Sequence, residues 1–365
     1  MSHNETEALL ARWVRPEIRR LSAYHVADAE GLVKLDAMEN PYHWPESLRE
    51  EWLRLLGEAE INRYPHPQAP AVKEALRHAM GIPAQLPLVL GNGSDELIQM
   101  IAMTVGGAER TILSVEPSFV MYRMIATFLG MRYHGVPLKA DFSLDLSALL
   151  AAVEQEQPAV IFLAYPNNPT GNLFAEEALL QVIEAAPGLV VIDEAYAPFT
   201  DVSFLPRLGQ YDNLLVMRTV SKMGLAGLRL GLLAGPAPWL DEIEKTRLPY
   251  NINVLTQISA AFALRHQQVF DRQTREIRVE REALLAQLMR LDGVEALPSQ
   301  ANFILLRLTA GGATTVFERL RERGVLVKNL HGAHPLLAEC LRVTVGTPEE
   351  NAAFLAAFSA SLDAR

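Results

Sequence analysis

Residues 159–171 read AVIFLAYPNNPTG, an apolar run that stops abruptly at a cluster of turn-forming residues. A continuous Val, Ile and Leu run of this kind predicts a strand covered on both faces, because a strand with one wet face alternates apolar and polar residues. Similar runs stand at 87–90 (PLVL), 111–115 (TILSV), 189–193 (LVVID), 214–219 (LLVMRT) and 229–235 (RLGLLAG). Helical patterns separate several of them, at 95–105, 119–129 and 176–186. Strand and helix in alternation predict an α/β fold: an open, mainly parallel sheet flanked by helices. Ligands gather at the carboxyl ends of the strands in such sheets, so the chemistry is expected just after each apolar run.

Beyond residue 250 the pattern changes. The stretch 254–291, rich in Ala, Leu, Arg, Glu and Gln, predicts helix, and NFILLRL (302–308) and LRVTVG (341–346) predict two short strands. This is the pattern of a smaller α+β C-terminal domain. At the other end Pro16, Pro41 and Pro45 interrupt any long element. The expected division is therefore an N-terminal arm and lead-in loop over 1–45, a large ligand-binding domain over 46–250 and a small domain over 251–365.

Composition narrows the function. The 365 residues carry 33 Lys plus Arg against 43 Asp plus Glu, a formal charge of −10 that opposes general binding to nucleic acid or anionic lipid. An anionic ligand must then meet a locally basic site. Cys340 is the single cysteine and cannot form an internal disulfide, and no Cys/His spacing matches a zinc module, so no metal is expected. The first residues lack the basic start and apolar core of an export signal, and no apolar run approaches a membrane span. A cytoplasmic protein is the expectation.

The residues at the predicted strand ends are unusual. After 87–90 comes Gly91-Asn92-Gly93-Ser94-Asp95-Glu96 at the start of a helix. This is either a phosphate cup made of backbone N–H groups at a helix amino terminus, or a glycine turn with a Ser or Asp cap. The run 189–193 ends in Asp193-Glu194-Ala195-Tyr196, which puts a carboxylate at the end of an apolar strand. Burial there requires a cationic partner, either a ligand or a structural arginine. The run 214–219 leads into Ser221-Lys222, with Gly224, Gly227 and Arg229 close behind. A lysine in that place is a nucleophile if its pKa is lowered, and a solvated surface residue otherwise. Taken together, a phosphate cup, the amide of Asn168, a carboxylate, a tyrosine, a lysine and an arginine suit pyridoxal phosphate.

The motifs GNGSDELI, EPSFVMY, YPNNPTG, VIDEAY, SKMGLAGLRLG, ANFILLR and LRVTVGTPEEN, with LDAMENP near the amino terminus, resemble the class II subgroup of the fold-type I aminotransferases in order from about Leu35 to Asn351. The resemblance implies a large domain with a mainly parallel sheet, a small C-terminal domain and pyridoxal phosphate as cofactor. It implies that Lys222 binds the cofactor covalently and shuttles a proton, that Asp193 pairs with the ring nitrogen, and that Asn168 and Tyr196 contact the ring oxygen. Phe119 would stack on the ring, where the family often has tyrosine. The backbone at Gly93, Ser94 and Asp95, with Ser221 and Arg229, would hold the phosphate. Tyr64 in NRYPHP matches a tyrosine that reaches the neighbouring subunit's cofactor phosphate, which implies a homodimer with shared sites.

For substrate, Arg342 matches an arginine that clamps an anion, helped by Asn168 and by Tyr24 in SAYHV. Lys328 stands where the family commonly has arginine, and it offers a point charge without the planar fork. The resemblance points to glutamate and 2-oxoglutarate on one side and a phosphorylated amino alcohol on the other. Transamination of aromatic or other amino acids, and decarboxylation of a phosphorylated amino acid such as threonine phosphate, stand as alternatives because they begin from the same chemistry. A non-catalytic ligand-binding domain fits poorly with Lys222, Asp193 and Arg229 all present.

Overall fold

Alternate residues of the central strands feed two different cores, and this explains why those strands are apolar without a break. The computed structural model describes residues 3–23 and 26–363. In chain order its strands are β1 (Val33–Lys34), β2 (Leu88–Gly91), β3 (Thr111–Glu116), β4 (Arg132–Pro137), β5 (Val160–Ala164), β6 (Leu189–Asp193), β7 (Leu214–Thr219), β8 (Gly231–Ala234), β9 (Val294–Ala296), β10 (Phe303–Leu308), β11 (Val325–Leu326), β12 (Lys328–Asn329) and β13 (Cys340–Thr344). Ile161 and Leu163 of β5 pack into the core on one face of the large sheet, with Val190 and Ile192 of β6. Phe162 packs into the core on the other face, with Val191, Leu215 and Tyr122. Helices shield both faces, so neither can be polar.

The large sheet has seven strands in the order β2-β8-β7-β6-β5-β3-β4. All neighbours are parallel except that β8 runs antiparallel to both β2 and β7. This reversal decides the site. Because β8 starts where β7 ends, the connection from Val220 to Leu230 stays at the carboxyl edge of the sheet, and Gly231 lies opposite both Gly91 and Thr219. A parallel β8 would have carried Arg229 to the far edge.

A second, antiparallel sheet has the order β12-β13-β10-β9. Its core gathers Ile304, Leu306, Val343, Phe354 and Phe358. The pair β1 and β11 is parallel and joins the early segment to this part of the chain, so the stretch expected to be an arm and loop contains a strand and, at Pro16–Arg19, a helical turn. The edge strand β4, RYHGVP, has no apolar run to announce it and is partly exposed. One other difference has a physical cause. The expected helix over 254–291 is two helices, Val254–Arg265 and Gln267–Leu288, divided at His266 (φ −104°, ψ 31°). The first is buried on most sides while the second has one buried stripe, so they need different directions although no Pro or Gly marks the joint. No helix among the described residues is long and apolar enough to cross a membrane.

The helix Val254–Arg265 begins with a side-chain cap, Asn253 Oδ1 accepting from Thr256 N–H at 2.9 Å. Replacing Asn253 with Ala leaves that donor unpaired and should cost about 1 kcal/mol, read as a lower denaturation midpoint of the cofactor-free protein with unchanged steepness.

Candidate active site

The carboxyl ends of β2, β5, β6 and β7 and the start of β8 converge on a cavity of about 570 Å³, whose walls include Ser94, Asp95, Phe119, Asn168, Asp193, Tyr196, Ser221, Lys222 and Arg229. Nine residues singled out from the sequence thus meet around one space. Its floor at the end of β2 is a glycine turn. Gly93 has φ +83°, which disfavours any side chain, and a Cβ there would lie 2.7 Å from Arg229 Nη2. A Cβ at Gly231 would lie 2.8 Å from the Gly93 carbonyl carbon and 2.9 Å from Ser94 N. The backbones therefore touch, and only glycine allows it. The helix Ser94–Val105 starts here without a side-chain cap. Its first residues, Ser94 and Asp95, line the cavity at the positive end of the helix dipole, with Arg229 Nη2 3.3 Å from Asp95 Oδ2. Arg229 itself holds a left-handed backbone at φ +48°. Of the features expected of GNGSDE, the glycine turn is present and the Ser or Asp cap is not.

Asp193 closes β6 and is buried. Tyr122 Oη donates to its Oδ2 at 2.7 Å and the Ala195 N–H to its Oδ1 at 3.1 Å. Burial nonetheless pushes its carboxyl up to about 6. The structural arginine that could have neutralised it goes elsewhere: Arg218 makes its ion pair with Glu194, Nη2 to Oε2 at 2.7 Å, and Glu194 also accepts from Ser203 and the Phe204 N–H. Among the described residues Asp193 has no cation within ion-pair distance.

Lys222 sits in a wide helical turn after β7, with Nζ donating to the Ala37 carbonyl at 3.2 Å and lying 5.9 Å from the Tyr196 ring centre. Burial first, and then the charge of Arg342, bring its amine down to about 8. The solvated-lysine reading does not hold. Gly224 makes the turn possible at φ +129°, where a Cβ would strike Asn40 Nδ2 at 2.9 Å. Ser221 and Thr219 share a hydroxyl hydrogen bond of 2.8 Å.

A second, larger cavity opens from the first past Phe119 and Asn168 and is lined further out by Lys328, His334 and Arg342. Arg342 Nη1 donates to Asn168 Oδ1 at 2.6 Å and its Nη2 to the Asp36 carbonyl at 2.9 Å. Lys328 is the cross-strand partner of Arg342 in the β12–β13 ladder. Cys340, two residues earlier on β13, is buried. Tyr64 is not in either cavity: it is 80% exposed, with its ring stacked on Tyr250 at 4.5 Å. Tyr24 lies outside the described residues. Sequence reasoning missed Met38, which lines both cavities, adopts φ +55° and accepts from Tyr196 Oη through its sulfur at 3.2 Å. It also missed Tyr122. Both stand inside quoted motifs, LDAMENP and EPSFVMY, but hydrophobic residues in those places carry no chemical signal of their own.

The family model "Aminotransferase class I and II" matches residues 30–358. The chain belongs to this aminotransferase family. Among its relatives, histidinol-phosphate aminotransferase 2 of Nitrosococcus oceani is 56% identical, over 97% of this chain and 99% of that one. Among solved structures, histidinol-phosphate aminotransferase from Sinorhizobium meliloti in complex with pyridoxal-5'-phosphate has a TM-score of 0.85 at 24% identity, covering 96% of this chain and 98% of that one. The L-threonine-O-3-phosphate decarboxylase of Porphyromonas gingivalis has a TM-score of 0.77, also at 24% identity, covering 91% of this chain and all of that one. Such likeness gives the fold, which serves both reaction types.

The Sinorhizobium meliloti structure is a complex with pyridoxal-5'-phosphate, and the residues of this cavity fit that group. A buried carboxylate without a cation suits a protonated ring nitrogen, an uncapped helix start walled by glycine and Arg229 suits a phosphate, and a lysine of lowered pKa suits bonding to an aldehyde.

The lowered pKa of Lys222 has a measurable consequence. Its folded value, about 8 against an ordinary 10.5, means that charging this amine opposes folding. That opposition is complete below pH 8 and fades as pH rises toward 10.5. Lys222→Met should therefore raise the melting temperature of the cofactor-free protein at pH 7, by an amount that shrinks steadily above pH 8. A gain that is constant with pH would show that burial does not perturb the amine.

Proposed function

We propose that the protein is a histidinol-phosphate aminotransferase, moving the amino group of glutamate to imidazole acetol phosphate to give L-histidinol phosphate in histidine biosynthesis. One observation carries the reading: two cations, Lys328 and Arg342, face each other across a ladder in the cavity that opens onto Lys222. Both partners of the exchange bring an anion, a carboxylate for glutamate and a phosphate on a longer arm for histidinol phosphate. A fixed fork beside a mobile point charge can serve each in turn, as ping-pong exchange requires.

When bound, pyridoxal phosphate draws electrons from the carbon that bears the amino group and so acidifies its proton. The protein does the rest. Lys222 would hold the cofactor through Nζ and would serve as the base that takes that proton, its amine being lowered toward neutrality. Asp193 would supply a negative charge at the ring nitrogen, and Asn168 and Tyr196 would contact the ring oxygen. Phe119 would contact the ring, while Gly93, Ser94, Asp95, Ser221 and Arg229 would hold the phosphate. Arg342 grips the substrate anion with a guanidinium already aimed by Asn168 and Asp36. By the family resemblance, Tyr24 and Lys328 would also bind the substrate phosphate.

The proposal includes a cytoplasmic homodimer with shared sites. Tyr64, Ile61, Leu248 and Tyr250 are large apolar side chains left exposed, and Tyr64 would reach its partner's cofactor phosphate. It also keeps the division of the chain at residues 45 and 250.

The test is a single half-reaction. Cofactor-loaded enzyme mixed with L-histidinol phosphate should lose its aldehyde-form absorbance far faster than with phenylalanine or threonine phosphate. Faster conversion by phenylalanine, or carbon dioxide released from threonine phosphate, would replace the substrate or the reaction. In the same assay Lys222→Ala should slow conversion by about 10³-fold or more, the usual worth of a positioned base.

A further inference from the structure

We infer that Tyr122 is a positioning residue of the cofactor site: its hydroxyl holds Asp193 in place and keeps that carboxylate charged against the ring nitrogen. The inference rests on the proposed role of Asp193. Tyr122 never touches the cavity that the cofactor would fill, and it acts only through its neighbours.

Three contacts fix the ring of Tyr122. It is fully buried, stacked on Phe162 of β5 with centroids 4.9 Å apart and planes 10° from parallel, and set edge-on to Phe119 at 5.5 Å and 86°. Phe119 stands three residues earlier. One tyrosine therefore braces the aromatic proposed to cover the ring face and the carboxylate proposed to meet the ring edge. The hydroxyl has no freedom to look elsewhere, and its 2.7 Å contact with Asp193 Oδ2 is its hydrogen bond to the site.

Packing alone does not explain this residue. A phenylalanine would fill the same space and make the same ring contacts, whereas a buried hydroxyl is unfavourable unless it is bonded. The bond has a direction. Burial pushes the phenol well above its ordinary range, so Tyr122 remains a donor at any working pH. Asp193 can accept that bond fully only as a carboxylate. Burial opposes the charge on Asp193 while the hydroxyl and the Ala195 N–H favour it. The Tyr122 bond thus works against desolvation at the place where the cofactor requires a negative partner.

Tyr122→Phe removes the hydroxyl and keeps the ring. The readout is binding of pyridoxal phosphate to the cofactor-free protein across pH, with no substrate present. At neutral pH the affinity should fall roughly tenfold, as for loss of a hydrogen bond to a charged group. The acid limb, where binding is lost as Asp193 takes up a proton, should move to higher pH, because losing a donor raises the carboxyl pKa. In an Asp193→Asn background the same change should have little effect on affinity. Equal losses in both backgrounds with an unmoved acid limb would make Tyr122 a packing residue and overturn the inference, as would unchanged binding in the single variant. If the Phe variant does not fold, 3-fluorotyrosine placed at 122 gives a stronger donor of nearly the same shape. The acid limb should then move to lower pH, and a fixed limb again overturns the inference. Asp193→Asn alone separates the two proposals: if it leaves cofactor affinity intact, the assigned role of Asp193 fails, whereas a wrong substrate leaves this experiment untouched.

Discussion

A carboxylate buried at the end of β6, with no cationic partner among the described residues, is the constraint around which this structure is arranged. A buried charge is tolerated when something neutralises or hydrogen-bonds it. Here two donors hold Asp193, and Arg218 is committed to Glu194. The fold thus solves the electrostatic problem of one carboxylate completely and leaves that of its neighbour open toward a cavity. The successive residues Asp193 and Glu194 point to opposite sides of the strand end, so period-two geometry separates a residue of the site from a residue of the frame.

The direction of β8 follows from the same need. A lysine near the carboxylate and an arginine near the helix start both stand at one edge of the sheet, although Lys222 and Arg229 are only seven positions apart in sequence. Too short for a parallel crossover, that connection requires the next strand to turn back. Doing so brings Gly231 against the Gly93 and Ser94 backbone, and this close contact explains glycine on both sides. Gly224 meets the remaining requirement, a left-handed step that lets the chain turn beside Phe270.

How much of this could be read from the chain depended on whether a residue's reason was local. The runs at 189–193 and 214–219 match β6 and β7 because burial on both faces writes itself into every position. β4 escaped notice because an edge strand has one neighbour and less to bury, so RYHGVP shows no pattern. The joint at His266 escaped because it answers to packing by distant parts of the chain and not to any breaker in the sequence. In the site the same division holds. Lys222, Asp193, Asn168 and Arg229 belong to conspicuous polar motifs, and they meet in one cavity. Tyr122 and Met38 have functions set only by what lies opposite them. Nothing within VMY or DAM announces a carboxylate 71 positions later in sequence or a tyrosine 158 positions later. The choice between Arg218 and a ligand as the answer to a buried carboxylate likewise required knowing which of two adjacent side chains faced which way.

The pairing of Lys328 with Arg342 gives the lysine a reason that the residue taken alone lacks. Arg342 is held at two nitrogens, by Asn168 and by the Asp36 carbonyl, so its fork has one orientation and little freedom to follow a ligand. A second fork opposite it would fix two planes at once, which suits one anion geometry. Lys328 is half-buried across the ladder, with a flexible stem and three rotatable donors. In the proposed exchange the site must release a carboxylate and then accept a phosphate whose oxygens lie further from the reacting carbon. A rigid cation sets the registration of each substrate, and a movable one takes up the difference in reach. In that proposal the lysine would let one anion subsite accept two ligands of unequal length, while the arginine beside it would keep both aligned with Lys222.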